Sequence, residues 1–103
     1  MAEWQLRDYT IEDGHLDDFL EAWTAGVLPL RRRFGFEIQA WSVAEDSRFV
    51  WTVRYDGPGS YEDADRAYYA SPERQSMTPN PSQWIAEQRV AWLTPVTDEG
   101  ERS

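Results

Sequence analysis

Along this chain apolar residues recur at two intervals, every second residue or every third to fourth, and the order in which those intervals alternate leaves few folds open. Residues 3–11 alternate, with Trp4 and Leu6 on one side and Gln5, Arg7 and Tyr9 on the other, the pattern of a half-buried strand. Asp13-Gly14 breaks it, and Asp13 is placed to cap the element that follows. Between residues 15 and 33, Leu16, Phe19, Leu20, Trp23, Val27 and Leu30 form one helical stripe. Pro29 removes the hydrogen bond to Ala25, so the helix should bend there, eased by Gly26, before Gly35 ends it. Residues 36–44 and 48–56 read as strands joined by the polar turn Glu45-Asp46-Ser47. After the breaker Asp56-Gly57-Pro58-Gly59, Ser60-Tyr61-Glu62-Asp63 fits a capping box that opens a helix reaching about Ala70. Ser71-Pro72 starts a short third helix to about Met77. Residues 78–82 are loop and 87–94 a last strand.

The order β-α-β-β-α-β with right-handed crossovers predicts an α+β, ferredoxin-like fold: a four-stranded antiparallel sheet with its helices on one face. Leu6, Phe36, Ile38, Ala40, Phe49, Trp51 and Val53 are expected to form the core beneath the helices. The opposite set is Gln5, Arg7, Tyr9, Gln39, Trp41, Val50, Thr52 and Arg54. It is too aromatic for plain solvent and too polar for a monomer core. A second copy of the sheet would cover it, so a homodimer through Tyr9, Trp41 and Val50 is expected. The domain is placed at residues 1–96, followed by an acidic, disordered tail at 97–103.

Composition narrows function. The formal net charge is −9, and every basic residue is an arginine, which disfavours nucleic acid and anionic membranes as partners. The third strand, Arg48 to Tyr55, lacks the glycine-containing pattern of RNA-recognition domains that share this element order. With no cysteine, thiolate chemistry and thiolate zinc sites are excluded; with one histidine, a closed transition-metal site would have to rely on carboxylates, and no cofactor is expected. The N-terminal residues do not form a signal peptide and no run is long enough to span a membrane, so a cytoplasmic protein is expected. Six tryptophans, five tyrosines and four phenylalanines are a heavy aromatic load for 103 residues, more than a lone core of this size readily hides.

Three segments then carry a resemblance: Leu6-Arg7-Asp8-Tyr9-Thr10, Val27-Leu28-Pro29-Leu30-Arg31-Arg32-Arg33, and Ala67-Tyr68-Tyr69-Ala70-Ser71-Pro72-Glu73-Arg74. Together they resemble a bacterial NIPSNAP-type protein of the dimeric α+β barrel group, over roughly residues 3–96. The resemblance implies the ferredoxin-like fold and a homodimer. It implies little chemistry, because that family has no generally agreed active site. The wider fold group includes cofactor-free antibiotic-biosynthesis monooxygenases, haem-degrading enzymes, muconolactone isomerases and stress-response barrels, and fold alone does not choose among them. The haem-degrading relatives place their ligand on the second helix, which here has no histidine.

Several residues are candidates for chemistry. His15 titrates nearest neutrality, although its place in a first helical turn beside Asp13, Asp17 and Asp18 suits the surface. Glu12, Asp13, Asp17 and Asp18 could suggest a cation site, and the Arg31–Arg33 run at the other helix end could bind an anionic ligand, but the helix dipole accounts for both and is the reading adopted. Asp8 and Tyr55 fall in phase with the apolar set, where a buried carboxylate would have a raised pKa. Asp8, His15 and Tyr55 are therefore the catalytic candidates. Arg7 and Arg54 lie on neighbouring strands and the same expected face, with Glu37 as counter-charge. They suit either a substrate-anion site or a dimer-interface ion-pair network. Trp23, Trp51, Tyr68 and Tyr69 are placed to line an aromatic pocket between helices and sheet, the competing account being simple core packing. Two function classes follow. One is a small cofactor-free enzyme, monooxygenase- or cyclase-like, acting on an apolar or aromatic metabolite. The other is a non-catalytic dimeric module that binds a small ligand or a protein.

Overall fold

The computed structural model describes residues 4–97. Strand β1 (Trp4–Ile11) is followed by α1 (Leu16–Ala22), a π-helical turn (Trp23–Val27) and α2 (Leu28–Arg33). Strands β2 (Phe36–Val43) and β3 (Arg48–Tyr55) come next, then α3 (Tyr61–Ala70), α4 (Pro72–Gln75) and β4 (Ile85–Leu93). The sheet is antiparallel throughout, in the order β2-β3-β1-β4. The α+β ferredoxin-like arrangement expected from the element order is present, with the helices on one face. The acidic tail expected at 97–103 lies outside the described residues, except for Thr97.

The caps follow the sequence in α3 and α4. Ser60 Oγ accepts from the Asp63 amide at 3.1 Å and Ser71 Oγ from the Arg74 amide at 3.2 Å. At α1 the expectation is corrected: His15, not Asp13, is the N-cap, and its side chain makes no cap bond. The bend expected at Pro29 takes the form of the π turn. The Leu28 amide donates to the Trp23 carbonyl, five residues back, and Pro29 then sits in the first turn of α2, where its missing N–H costs least. Gly26 admits Met77 at close range; a Cβ there would stand 2.9 Å from the Met77 sulfur.

The core beneath the helices holds Phe19, Trp23, Val27, Leu30, Phe36, Ile38, Phe49, Trp51, Val53 and Tyr68, and it also holds Tyr9 and Ile11. Here the face assignment for β1 is corrected. The buried positions of β1 are Gln5, Arg7, Tyr9 and Ile11, while Trp4, Leu6, Asp8 and Thr10 point away from the helices. The reason is local: Gln5 and Arg7 have partners inside the protein, so their polarity does not bar them from the core, and Trp4 and Leu6 are left for the other face. Tyr9, only 5% exposed, thus belongs to the core and not to a dimer surface. Ala40 is on the helix side but exposed, beyond the reach of the helices.

The helix-free face becomes more apolar as a result. Trp4, Leu6, Trp41, Val43, Val50, Ala91 and Leu93 share it in register, through the pairs Leu6↔Ala91, Trp4↔Leu93 and Trp41↔Val50. Asp8 sits among them, clamped by Arg48 at 2.7 Å and Arg89 at 3.4 Å. Arg54 lies on this face too, paired with Glu37 at 3.4 Å and over the Trp4 ring. Among the described residues, no helix is long and apolar enough to cross a membrane.

Candidate functional site

The strongest concentration of chemistry lies between α2, α3 and the sheet. On α3, Tyr61, Asp65, Tyr68 and Tyr69 are three to four residues apart and so share one face. Opposite them, α2 turns Arg31 inward until none of it is exposed. Its Nη1 donates to Asp65 Oδ1 at 2.7 Å and its Nη2 to the Tyr69 hydroxyl at 3.3 Å. The guanidinium lies 4.0 Å from the Tyr68 ring centroid and 4.7 Å from that of Phe36. Desolvated cation–π contacts of this kind contribute about 2 kcal/mol or more.

Arg7 enters the same cluster from the sheet. Its Nε donates to Gln5 Oε1 at 2.6 Å, Nη1 to the Tyr69 hydroxyl at 3.0 Å and Nη2 to the Tyr61 hydroxyl at 3.1 Å. Nη2 also lies 3.4 Å from Asp65 Oδ1. Tyr61 in turn donates to Gln5 Oε1 at 3.0 Å. Burial pulls the Arg7 guanidinium down, but the surrounding Tyr69, Tyr61 and Tyr9 hydroxyls and Asp65 outweigh it, so its pKa is raised and it stays charged. Burial pushes the phenols of Tyr9, Tyr61 and Tyr68 up.

Beside this cluster is a cavity of about 20 Å³, walled by Tyr9, Phe19, Trp23, Trp51, Tyr68 and Tyr69 and closed on its outer side by Arg74, Pro81 and Ser82. It holds a group about the size of one water. Trp23 Nε1, Trp51 Nε1, Tyr68 Oη, Arg31 Nε and Arg74 Nε are all buried here without a hydrogen-bond partner in the protein. Trp51 Nε1 lies close to the Tyr9 hydroxyl and Arg74 close to that of Tyr68, in neither case with hydrogen-bond geometry. Arg74 Nη2 does reach Ser82 Oγ, at 3.1 Å. A separate, open groove of about 420 Å³ runs between α3 and β4, where Trp92 on the edge strand remains 46% exposed.

The structure brings Trp23, Trp51, Tyr68 and Tyr69 to one cavity and joins Arg7 to them through Tyr69. It does not bring the other candidates there. Arg54 is on the opposite face from Arg7, because the β1 pleat is one residue out of phase with the sequence reading. For the same reason Asp8 faces away from the apolar core, and its carboxyl is held low, mainly by the hydrogen bond from Arg48 and also by Arg89. His15 is half-buried at the start of α1, 3.1 Å from Asp18, with its ring stacked on Trp84. The Tyr55 hydroxyl donates to the Pro58 carbonyl at 2.7 Å in the loop before α3. Arg31, Asp65, Tyr61, Gln5 and Arg74 are the members that sequence reading missed. Arg31 had a signal: it continues the Trp23, Val27 row at intervals of four, a cation placed on the apolar stripe. Among the described residues, no group of three or more His, Cys, Asp or Glu side chains is placed to hold a metal ion.

The fold and this chamber define a ferredoxin-like α+β protein with an arginine-bearing, aromatic-walled site between helices and sheet. Its fold is that of NIPSNAP family proteins and of antibiotic-biosynthesis-monooxygenase-like proteins of known structure. The NIPSNAP family protein from Agrobacterium tumefaciens superposes with a TM-score of 0.85 at 13% identity, covering 99% of this chain and 100% of that one. The NIPSNAP domain protein from Burkholderia xenovorans gives 0.78 at 20% identity, covering 92% and 94%. A candidate antibiotic biosynthesis monooxygenase from Bacteriodes thetaiotaomicron gives 0.75 at 13% identity, covering 99% and 96%. No family model and no curated protein matches the sequence.

Proposed function

We propose that the protein is a homodimeric α+β barrel enzyme that acts without a cofactor on a small aromatic metabolite, held in the chamber between α2, α3 and the sheet. One observation carries this reading: aromatic walls and unpartnered buried donors converge on the same cavity. A core needs the rings but not the stranded donors, since each buried donor left unmade costs about 1–3 kcal/mol. An aromatic ligand bearing an acceptor oxygen accounts for both. Preorganised donors of this kind stabilise negative charge that develops on oxygen during oxygenation, isomerisation or cyclisation. The fold-level likeness to a candidate monooxygenase supports the class by analogy only.

Such a ligand seats its polar end in the cavity and its ring against the outer wall. The segment from Met77 to Ser82 must give way to admit it. That segment is held by Met77 against Gly26, by the buried ring of Pro81 and by the Arg74–Ser82 hydrogen bond, and these are the contacts that entry would break. Pairing of two copies through Trp4, Leu6, Trp41 and Val50 would cover the helix-free face and brace the sheet beneath the chamber.

The test is a panel of small phenols and aromatic ketones, screened for thermal protection and then for oxygen uptake or product formation. Protection by some members, lost in Trp51→Phe while the unprotected melting temperature holds, is expected. No protection by any member would sink the reading. A non-catalytic binding module is the second reading, favoured by one observation: the chamber's carboxylate, Asp65, is engaged by both arginines, and His15 lies outside. Protection without turnover would select it.

A further inference from the structure

We infer that the chamber is an oxyanion site: its ligand enters polar end first and carries one negative charge on a carboxylate, phenolate or enolate oxygen. This rests on the reading of the chamber as a ligand site and names the class of ligand it takes. Of three guanidiniums in this region, those of Arg7, Arg31 and Arg74, the last two line the cavity and the first is tied to its wall through the Tyr69 hydroxyl. One carboxylate, Asp65, answers the first two. No carboxylate pairs with Arg74 among the described residues; it hydrogen-bonds Ser82 and lies over the Tyr68 and Tyr69 rings. The cluster therefore holds positive charge in excess inside a chain whose formal net charge is −9.

The orphan atoms agree with that sign. Arg31 Nε, Arg74 Nε and the two indole nitrogens can only donate, and the Tyr68 hydroxyl is free to donate as well. A site built of donors beside unneutralised guanidiniums recognises an acceptor, and a charged acceptor above a neutral one, because charge-assisted hydrogen bonds are about twice as strong. The cavity's small size admits one oxygen of such a group and leaves its ring at the outer wall, beside Arg74, Pro81 and Ser82. The chain's formal net charge of −9 opposes a second negative charge, so a monoanion is favoured over a dianion.

The experiment compares benzoate with benzamide, its neutral counterpart of the same shape, by tryptophan fluorescence and thermal shift on the intact protein. Benzoate is expected to bind about tenfold more tightly. Arg74→Met, a change at the half-buried outer wall, and Trp23→Phe, which removes one indole N–H, are each expected to weaken benzoate roughly fivefold and leave benzamide unchanged. Arg31→Met is expected to abolish the preference. Should that variant fail to fold, the Arg74 and Trp23 variants decide. Equal binding of the two probes, sensitive to Trp23→Phe, would overturn the oxyanion assignment and leave the aromatic site standing. Binding of neither probe would overturn the assignment, and only the wider panel's failure would remove the site as well.

Discussion

Arg7 on the sheet and Arg31 on the helix both donate to the hydroxyl of Tyr69, at 3.0 and 3.3 Å, and both reach the same oxygen of Asp65. Two like charges are thereby tied across the layers of the domain by a third element, α3. The ion cluster is a structural joint as well as the floor of the proposed site.

Removing the shared anion tests that joint. Asp65→Asn leaves two buried guanidiniums facing each other without a counter-charge, and a loss of about 3 kcal/mol is expected in urea unfolding. Arg31→Met leaves Asp65 paired with Arg7 and fills the space with an apolar chain. It should cost clearly less, and the ranking of the two variants is the measurement.

Alkaline pH should unfold the protein through its tyrosines. Burial raises the phenols of Tyr9, Tyr61 and Tyr68, so the unfolded chain loses those protons first. Their contribution is complete below about pH 10 and is lost as the pH rises through the native values. Tyrosinate absorbance should lag behind that of free tyrosine and then appear together with loss of tertiary circular dichroism. Full tyrosinate signal on the folded protein near pH 10 would contradict this.

Acid acts at the opposite face. Arg48 first, and Arg89 with it, hold the Asp8 carboxyl below its ordinary value, so here the unfolded chain takes up the proton first. The stabilisation is complete above about pH 4 and is lost as the pH falls through the native value. Asp8→Asn should lower the denaturation midpoint at neutral pH and narrow the gap from wild type in strong acid. An unchanged gap across that range would refute the assignment.

The two faces of the sheet should answer differently to mutation. Trp41 is 51% exposed on the helix-free face, so Trp41→Glu should leave a monomer folded and split a dimer, read by light scattering. Tyr9→Ala empties a core position and should cost about 3–5 kcal/mol without acting first on association. A Trp41→Glu protein that stays dimeric would remove this face as the contact.

The architecture is legible because its signals are local in the sequence and redundant. Alternation in residues 36–55, the Ser60 and Ser71 caps and the stripe from Leu16 to Leu30 all agree. The pleat of β1 is not, and the physical cause is instructive. Alternation assigns apolar residues inward, but Arg7 is inward because Tyr61, Tyr69, Asp65 and Gln5 satisfy it, and all of these but Gln5 are distant in sequence. One residue of phase in β1 thus separates Arg7 and Tyr9 from Arg54, which lies on the helix-free face as expected, and turns Asp8 away from the core. The aromatic half of the chamber was readable, since large rings on inward faces converge in any compact domain. Its cationic half was hidden by the Arg31–Arg33 run, which reads as a helix end whichever of the three turns inward.

The π turn at Trp23–Val27 bears on how such a site can arise. It puts one extra residue into a helix, so the halves before and after it keep separate phases against the same sheet. Deleting a residue there would restore a regular period and rotate one half by about 100° relative to the other. The deletion would trade Arg31 for a neighbour on the inward face while leaving Phe19 and Ala22 in place. A single-codon insertion or deletion, with Arg31 itself unaltered, is thus enough to carry a solvent-facing charge into the interior or to return it.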